Sequence, residues 1–374
     1  MVRLSSPQVI SKGKSSEAIK VLVEQIVPVD GESRINQKIM DFFVVEVAQY
    51  QALLEGFERR FTSSMLQDGK LRSEFMQASD AIISRGEQAV AGLEKDVARR
   101  VKTLFREAIK PWMEGNPFIE RCLGKPRGYA GDYVMMDMGY DNQPILTEGL
   151  AGVFDRYFLD HYECVRQRKD KLRDAIRGRI LGSIQGSSPM RMLSLGSGPC
   201  REWVDLERWY RSEGAQAPKI QKTTLTCLDK DPVVLAYGKQ RLADSRLLES
   251  VEYVEADLFR FTRGELWRNR EQFYDLVYGL GIANYFYDAM LENVIASAFT
   301  LVRPGGELMI THKDSETFNF PVADWLCDWV FLKRSAEEFS RLFTSALGEV
   351  RGQFAYRLEP VPNGEIFFGI VKRL

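Results

Sequence analysis

Histidine is scarce in this chain: His161 and His312 are the only two, and the five cysteines, Cys122, Cys164, Cys200, Cys227 and Cys327, are scattered without a C-x-x-C pair. A zinc site draws three or four such ligands together, so no metal site is expected. An odd number of isolated cysteines reads as reduced thiols. Excess charge is lacking too. The formal net charge is −1 over 374 residues with no long basic run, which argues against nucleic acid or an anionic membrane surface as partner. No stretch approaches the roughly 18 apolar residues of a membrane-spanning helix. The opening MVRLSSPQVISKGKSSEAIK has no signal-peptide apolar core, so a cytoplasmic protein without a membrane span is expected. What is present, 45% hydrophobic and 28% charged residues, is an ordinary globular composition, long enough for two domains and suited to a small-molecule or protein partner.

The first hundred-odd residues carry helical periodicity. Val90, Leu93, Val97, Val101, Leu104, Phe105 and Ile109 recur at spacings of three and four, which predicts one amphipathic helix ended by Pro111. Ile39, Phe42, Phe43, Leu53, Leu54, Phe57 and Phe61 repeat the pattern less cleanly between Asn36 and Met65. Both stripes read as helix packing. Residues 115–142, GNPFIERCLGKPRGYAGDYVMMDMGYDN, crowd glycine, proline, aspartate and tyrosine and cannot be helical throughout; a loop of this length is often functional. Helical pattern resumes over 146–181, and QGSSP at 185–189 reads as a linker.

From Met190 onward strands and helices alternate, the pattern of a parallel sheet covered on both faces. Strands are predicted at 191–195, 223–228, 251–255, 274–278 and 306–312, with a final pair near 350–357 and 365–372. Helices fall at about 201–212, 232–242, 287–301 and 335–345. The first strand runs into Gly196, Ser197 and Gly198 and then into a helix, an arrangement that offers backbone N–H groups to a nucleotide-like ligand. Arg201 occupies the position where a dinucleotide fingerprint has its third glycine, which argues against NAD. The second strand ends at Asp229, a carboxylate suited to ribose hydroxyls in NAD and S-adenosylmethionine enzymes alike. The third ends at Asp257 and Leu258, an acid for an adenine amino group and an apolar neighbour for the ring.

Taken together, LSLGSGP, Asp229, EADLF, the fourth strand YDLVYGLGIANYF with Gly279, and LVRPGGEL resemble the class I S-adenosylmethionine-dependent methyltransferases. The resemblance implies an α/β, Rossmann-like, seven-stranded sheet closed by an antiparallel hairpin, with S-adenosylmethionine as cofactor across the strand ends. Gly196, Ser197, Gly198, Arg201, Asp229, Asp257, Leu258 and Gly279 are then the cofactor-binding residues. Ser194 stands where many members have an acid, so the methionine amino group needs another partner.

KPRGYAGDYVMMDM, VRQRKDKLR, GLGIANYF and DWVFLKRSAEEF narrow the resemblance to the bacterial family named for biosynthesis of 3-hydroxypalmitic acid methyl ester. It implies methyl transfer to a fatty-acid carboxylate. The organisation expected is a helical domain over 1–145 ending in a Gly/Tyr-rich lid, connecting helices over 146–188, and the cofactor domain over 189–374. A carboxylate needs no strong base, only alignment with the S–CH3 bond and shielding from water. Tyr129, Asp132 and Tyr133 of the lid are expected to face the reaction, with Arg127 for a substrate carboxylate. Asn284, Tyr285 and His312 follow the fourth and fifth strands, where open α/β sheets bind ligands. His161, in an apolar helix, reads as structural.

Two segments depart from the family, IANY at 282–285 and THKDSETFNF after the fifth strand, and both fall where cofactor and acceptor meet. Related scaffolds include azetidine-2-carboxylate synthases, in which the amino group of S-adenosylmethionine attacks its own γ-carbon without a second substrate. Aromatic faces from Tyr129, Tyr133, Tyr285 and Phe286 and a base in Asp132 or His312 permit that chemistry. A non-catalytic cofactor-binding partner is the third reading, and the N-terminal helices offer a homodimer surface in any of them.

Overall fold

The computed structural model describes residues 21, 23, 33–60, 69–182, 190–217, 223–266, 274–318, 321–348 and 353–374. The QGSSP segment, Phe61 and the N-terminal twenty residues lie outside these. Two compact units form: the described residues of Met1–Tyr162 with Phe320–Val330, and those of Glu163–Asn319 with Phe331–Leu374.

The first unit is helical: α1 (Ser33–Asp41), α2 (Ala48–Arg60), α3 (Gly69–Val90), α4 (Lys95–Met113), α5 (Pro117–Gly124), α6 (Tyr133–Asp141) and α7 (Gly149–His161). A π-helical stretch, Phe42–Val47, joins α1 to α2. The helix expected from Val90 onward is two helices. Gly92, at φ 82°, turns the chain between them, and Pro111 lies inside the last turn of α4 instead of ending it. Proline has no N–H to offer the carbonyl four residues back, yet the helix continues past it and closes with Glu114 N–H donating to Lys110 O at 2.9 Å. The apolar stripe does face inward: Val101, Leu104, Phe105 and Ile109 are all buried. The 115–142 region is mostly α5 and α6, each opened by a side-chain cap, Asn116 accepting from Ile119 N and Asp132 from Met135 N, both at 3.0 Å.

The second unit begins with α8 (Glu163–Gly182) and holds β1 (Arg191–Leu195), α9 (Arg201–Ser212), β2 (Thr223–Asp229), α10 (Pro232–Leu242), β3 (Leu248–Glu255), α11 (Leu258–Thr262), β4 (Tyr274–Gly279), α12 (Asp288–Thr300) and β5 (Val302–Lys313). A short helix, α13 (Pro321–Cys327), returns to the helical unit before α14 (Ala336–Gly348), β6 (Phe354–Pro360) and β7 (Ile366–Arg373) complete the sheet. The seven strands run in the order β3-β2-β1-β4-β5-β7-β6. β1 to β5 are parallel, and β7 pairs antiparallel with both β5 and β6, the closing hairpin the sequence implied. The fold is a Rossmann-like α/β sheet.

Right-handed crossovers fix which helices cover which face. β1 to β3 are wound one way by α9 and α10, whereas β4 and β5 are wound the other way, with α12 and α14 packed on Leu193, Val277, Leu308 and Val371. The winding reverses between β1 and β4, and that reversal opens a crevice at their carboxyl ends.

α14 presses closely on β7. A methyl group on Gly369 would meet the Phe343 ring at 2.4 Å and the Phe339 ring at 3.1 Å. Gly369→Ala is expected to destabilise the protein by about 1–3 kcal/mol through overpacking, read as a lower urea midpoint at unchanged m-value; an unchanged midpoint would show that α14 yields.

Candidate functional site

Three strand ends and the loops after them build the crevice. Leaving β1, the chain turns through Gly196 at φ 63° and Gly198 at φ 53°, a left-handed course that glycine adopts without strain, and then through Cys200 at φ 51°, a non-glycine residue in the same region. Ser197 N–H donates to Leu228 O at 3.0 Å, so this amide is used within the sheet. The N–H of Gly198 donates to Asp229 Oδ2 at 3.1 Å, and that of Asp231 to Asp229 Oδ1 at 3.1 Å. The carboxylate at the end of β2 is therefore held by one amide on each oxygen. Burial raises its pKa, and the two amides act against that shift. Each oxygen keeps a lone pair for a further donor. Beyond β3, Asp257 caps α11 by accepting from Arg260 N at 2.8 Å while staying exposed, and Leu258 beside it is buried.

Other expected residues also make contacts within the protein. The guanidinium of Arg201 is tied to Asp205 at 2.9 Å, and Asp205 also binds Lys169 and Arg208. A methyl group on Gly196 or Gly279 would each meet Ile282 at 2.6 Å, so both glycines make room for that side chain. Asn284 is buried and braces the loop after β4: its Oδ1 accepts from Lys313 N at 3.1 Å and its Nδ2 donates to Gly281 O at 3.3 Å. Tyr285 is 47% exposed.

His312 corrects the expectation of an acceptor-facing side chain. Successive β5 side chains alternate between faces, and His312 points into the α14 side, stacked on Phe339 with ring centroids 5.0 Å apart. Its Nε2 lies 3.3 Å from Arg334 Nη1. Arg334 in turn binds Asp288 at 2.7 Å and Phe286 O at 2.6 Å, holding the segment after β4 in place. Burial, with the charges of Arg334 and Lys313, pushes the His312 pKa down to about 3, so the ring is neutral.

In the helical unit, Asp132 is likewise taken up by structure. It is fully buried, caps α6, and accepts both arms of Arg121, at 2.9 and 2.7 Å. Such a bidentate pair leaves no free base. Gly131 is a packing glycine rather than a hinge, since a methyl group there would meet Trp329 at 2.2 Å. Arg127, Tyr129 and Tyr133 are half-buried. His161 bridges Tyr157 O and Asp80 at 3.0 and 3.1 Å, a structural role.

The sequence reading passed over three features. Lys313, one residue beyond His312, is on the opposite face and 2% exposed. Arg168 of α8 is 3% exposed, and a methyl group on Gly281 would meet its Nη1 at 2.6 Å. Behind Ser194, its register partner Tyr278 donates to Glu202 Oε1 at 2.8 Å and accepts from Trp203 Nε1 at 2.9 Å. A buried carboxyl thus lies near the position where an acid was missed. Charged residues inside a sheet domain were the available signal, but their burial was not.

No protein-family model matches this sequence, and no curated protein does. Among solved structures, a possible exported protein from Bordetella parapertussis aligns over 80% of this chain and 96% of its own at 17% identity, with a TM-score of 0.49. The S-adenosylmethionine-dependent methyltransferase SibL, in its apo form, aligns over 88% and 97% at 14% identity and a TM-score of 0.40. Magnesium protoporphyrin IX methyltransferase from Synechocystis PCC 6803, with bound S-adenosylmethionine, aligns over 73% and 97% at 10% identity and a TM-score of 0.40.

The neutral imidazole of His312 has a pH signature. The unfolded chain takes up its proton near pH 6.5 and the folded chain only near pH 3, so stability is full above the first value and falls as pH drops toward the second. The slope from this one group is at most about 1.4 kcal/mol per pH unit. His312→Phe, which keeps the stacking, is expected to remove that slope in urea titrations between pH 6.5 and 4; an unchanged slope would place the proton linkage elsewhere.

Proposed function

We propose that this chain is an S-adenosylmethionine-dependent transferase that methylates a carboxylate or hydroxyl oxygen of a small or fatty-acid-like acceptor, in signal or secondary-metabolite biosynthesis. The observation that carries the reading is Asp229: a carboxylate at the end of β2, fixed by the amides of Gly198 and Asp231 beside the glycine turn of β1. Its donor set fits an adenosyl ribose, because both oxygens are oriented and both can accept a further hydroxyl. Asp257 is exposed for an adenine amino group, with Leu258 as an apolar neighbour for the ring.

S-adenosylmethionine supplies an electrophilic methyl carbon: the acceptor oxygen forms the C–O bond while the C–S electron pair stays on sulfur, leaving S-adenosylhomocysteine. An acceptor carboxylate asks for positioning and dryness, not for a base. Within the sheet unit, His312 is a weak base, its pKa pushed down to about 3 by burial; within the helical unit, Asp132 is engaged by both arms of Arg121. Cyclisation of the aminocarboxypropyl group of S-adenosylmethionine would need such a base and is the weaker reading on that ground.

Incubation of the purified protein with S-adenosylmethionine, alone and with 3-hydroxy fatty acids, is expected to yield S-adenosylhomocysteine only with an acceptor. Methylthioadenosine formed without acceptor would overturn methyl transfer in favour of cyclisation, and nucleoside binding without turnover would leave a cofactor-binding partner. Asp229→Ala is expected to weaken S-adenosylhomocysteine binding by roughly 10- to 100-fold, the loss of charge-assisted hydrogen bonds. Because burial raises the Asp229 pKa, wild-type affinity should also fall on acidification before an ordinary aspartate would protonate.

A further inference from the structure

Lys313 is an amine with no counter-charge in contact among the described residues. β5 brings it to the carboxyl end of the sheet, where it is 2% exposed. Its backbone is fixed, N–H to Asn284 Oδ1 at 3.1 Å and O from Arg334 N at 3.3 Å. Its Nζ stands over two rings, 4.0 Å from the centroid of Phe331 and 4.5 Å from that of Phe318. Those rings meet edge to face at 5.8 Å, so the ammonium sits in their corner. Among the described residues, Nζ has no hydrogen-bond acceptor and no ion pair, an expensive state for a buried amine.

The groups that act on it do not neutralise it. Arg168, also buried, repels it from α8. Cys164, on the same helix, has its thiol pushed up to about 12 by burial and stays uncharged. Glu365, just before β7, attracts it without contact. Burial first, and then Arg168, brings the Lys313 pKa down to about 7. The permanent charge of Arg168 and the titratable amine of Lys313 thus share the ends of β4 and β5, where the Phe331 ring is 6.2 Å from that of the exposed Tyr285. Such a site attracts an anion. The walls around it are aromatic, which suits a carboxylate on an apolar stem better than a heavily hydrated phosphate.

We propose that Lys313, supported by Arg168 and walled by Phe318 and Phe331, is the binding residue for a ligand carboxylate at the carboxyl ends of β4 and β5. The inference rests on the transferase reading for the source of that carboxylate: the amino-acid end of S-adenosylmethionine or the acid of the acceptor. A carboxylate arriving at Lys313 stabilises the ammonium, so binding takes up a proton. Arg168 stays charged throughout and contributes none.

Calorimetry on the full chain, at pH 8 in two buffers of different ionisation enthalpy, tests this with three probes: S-adenosylhomocysteine, methylthioadenosine, which lacks the carboxylate, and 3-hydroxydecanoate. The carboxylate that docks at Lys313 is expected to bind with uptake of about 0.5–1 proton, and Lys313→Met to weaken it about tenfold or more while leaving methylthioadenosine within about twofold. Lys313→Arg is expected to bind without proton uptake. Effects confined to S-adenosylhomocysteine identify the cofactor's carboxylate, and effects confined to 3-hydroxydecanoate the acceptor's. Unchanged affinity and proton uptake for both acids in Lys313→Met, with nucleosides still bound, overturn the Lys313 assignment alone. Failure of both nucleosides to bind wild type overturns the transferase reading, and the 3-hydroxydecanoate arm then decides Lys313 by itself. Met replaces the lysine stem and removes a buried charge, so thermal stability of the variant should not fall.

Discussion

The amides that grip Asp229 depend on the parallel pairing of β1 with β2. A buried carboxylate must find donors, and the glycine turn after β1 can offer Gly198 N–H only because β1 and β2 are parallel neighbours with both ends on one side. The reversal between β1 and β4 keeps helices from covering that spot. Backbone topology, more than any side chain, therefore makes the crevice. The side chains around it adapt: Ile282 lies against two glycines, Asn284 and Arg334 pin the loop after β4, and Arg201 turns away into an ion network.

β5 sends neighbouring side chains to opposite faces of the sheet. Thr311 accepts from Gly281 N at 3.0 Å, and Lys313, two residues on and on the same face, reaches the same strand ends. His312 between them goes to the opposite face and joins the packing under α14. Adjacent residues of similar chemistry thus have unlike surroundings. Burial drives both of them toward their neutral forms, and the two titrate in separate ranges because histidine and lysine start from different intrinsic values.

Much of this was legible in the sequence. The strand at 191–195 and the helix at 232–242 match to the residue, since period-two and period-three-to-four patterns bounded by Gly, Asp and Pro leave little freedom. Asp229 was legible because a strand-end acid after a glycine turn is fixed by spacing. Less legible were the break at Gly92 and the helices inside 115–142, where caps from Asn116 and Asp132 act over only three residues. The face on which His312 and Lys313 point was open, because a one-residue change of register exchanges them.

By itself the sequence determined the class of fold, the glycine turn and the acid beside it, since these follow from local periodicity and from residue types with few conformational alternatives. Tertiary structure decided which charged groups are buried, which are paired, and that Lys313 and Arg168 come together from segments far apart in the chain. Burial and pairing are properties of what surrounds a side chain, and those surroundings exist only once the sheet and its helices have closed.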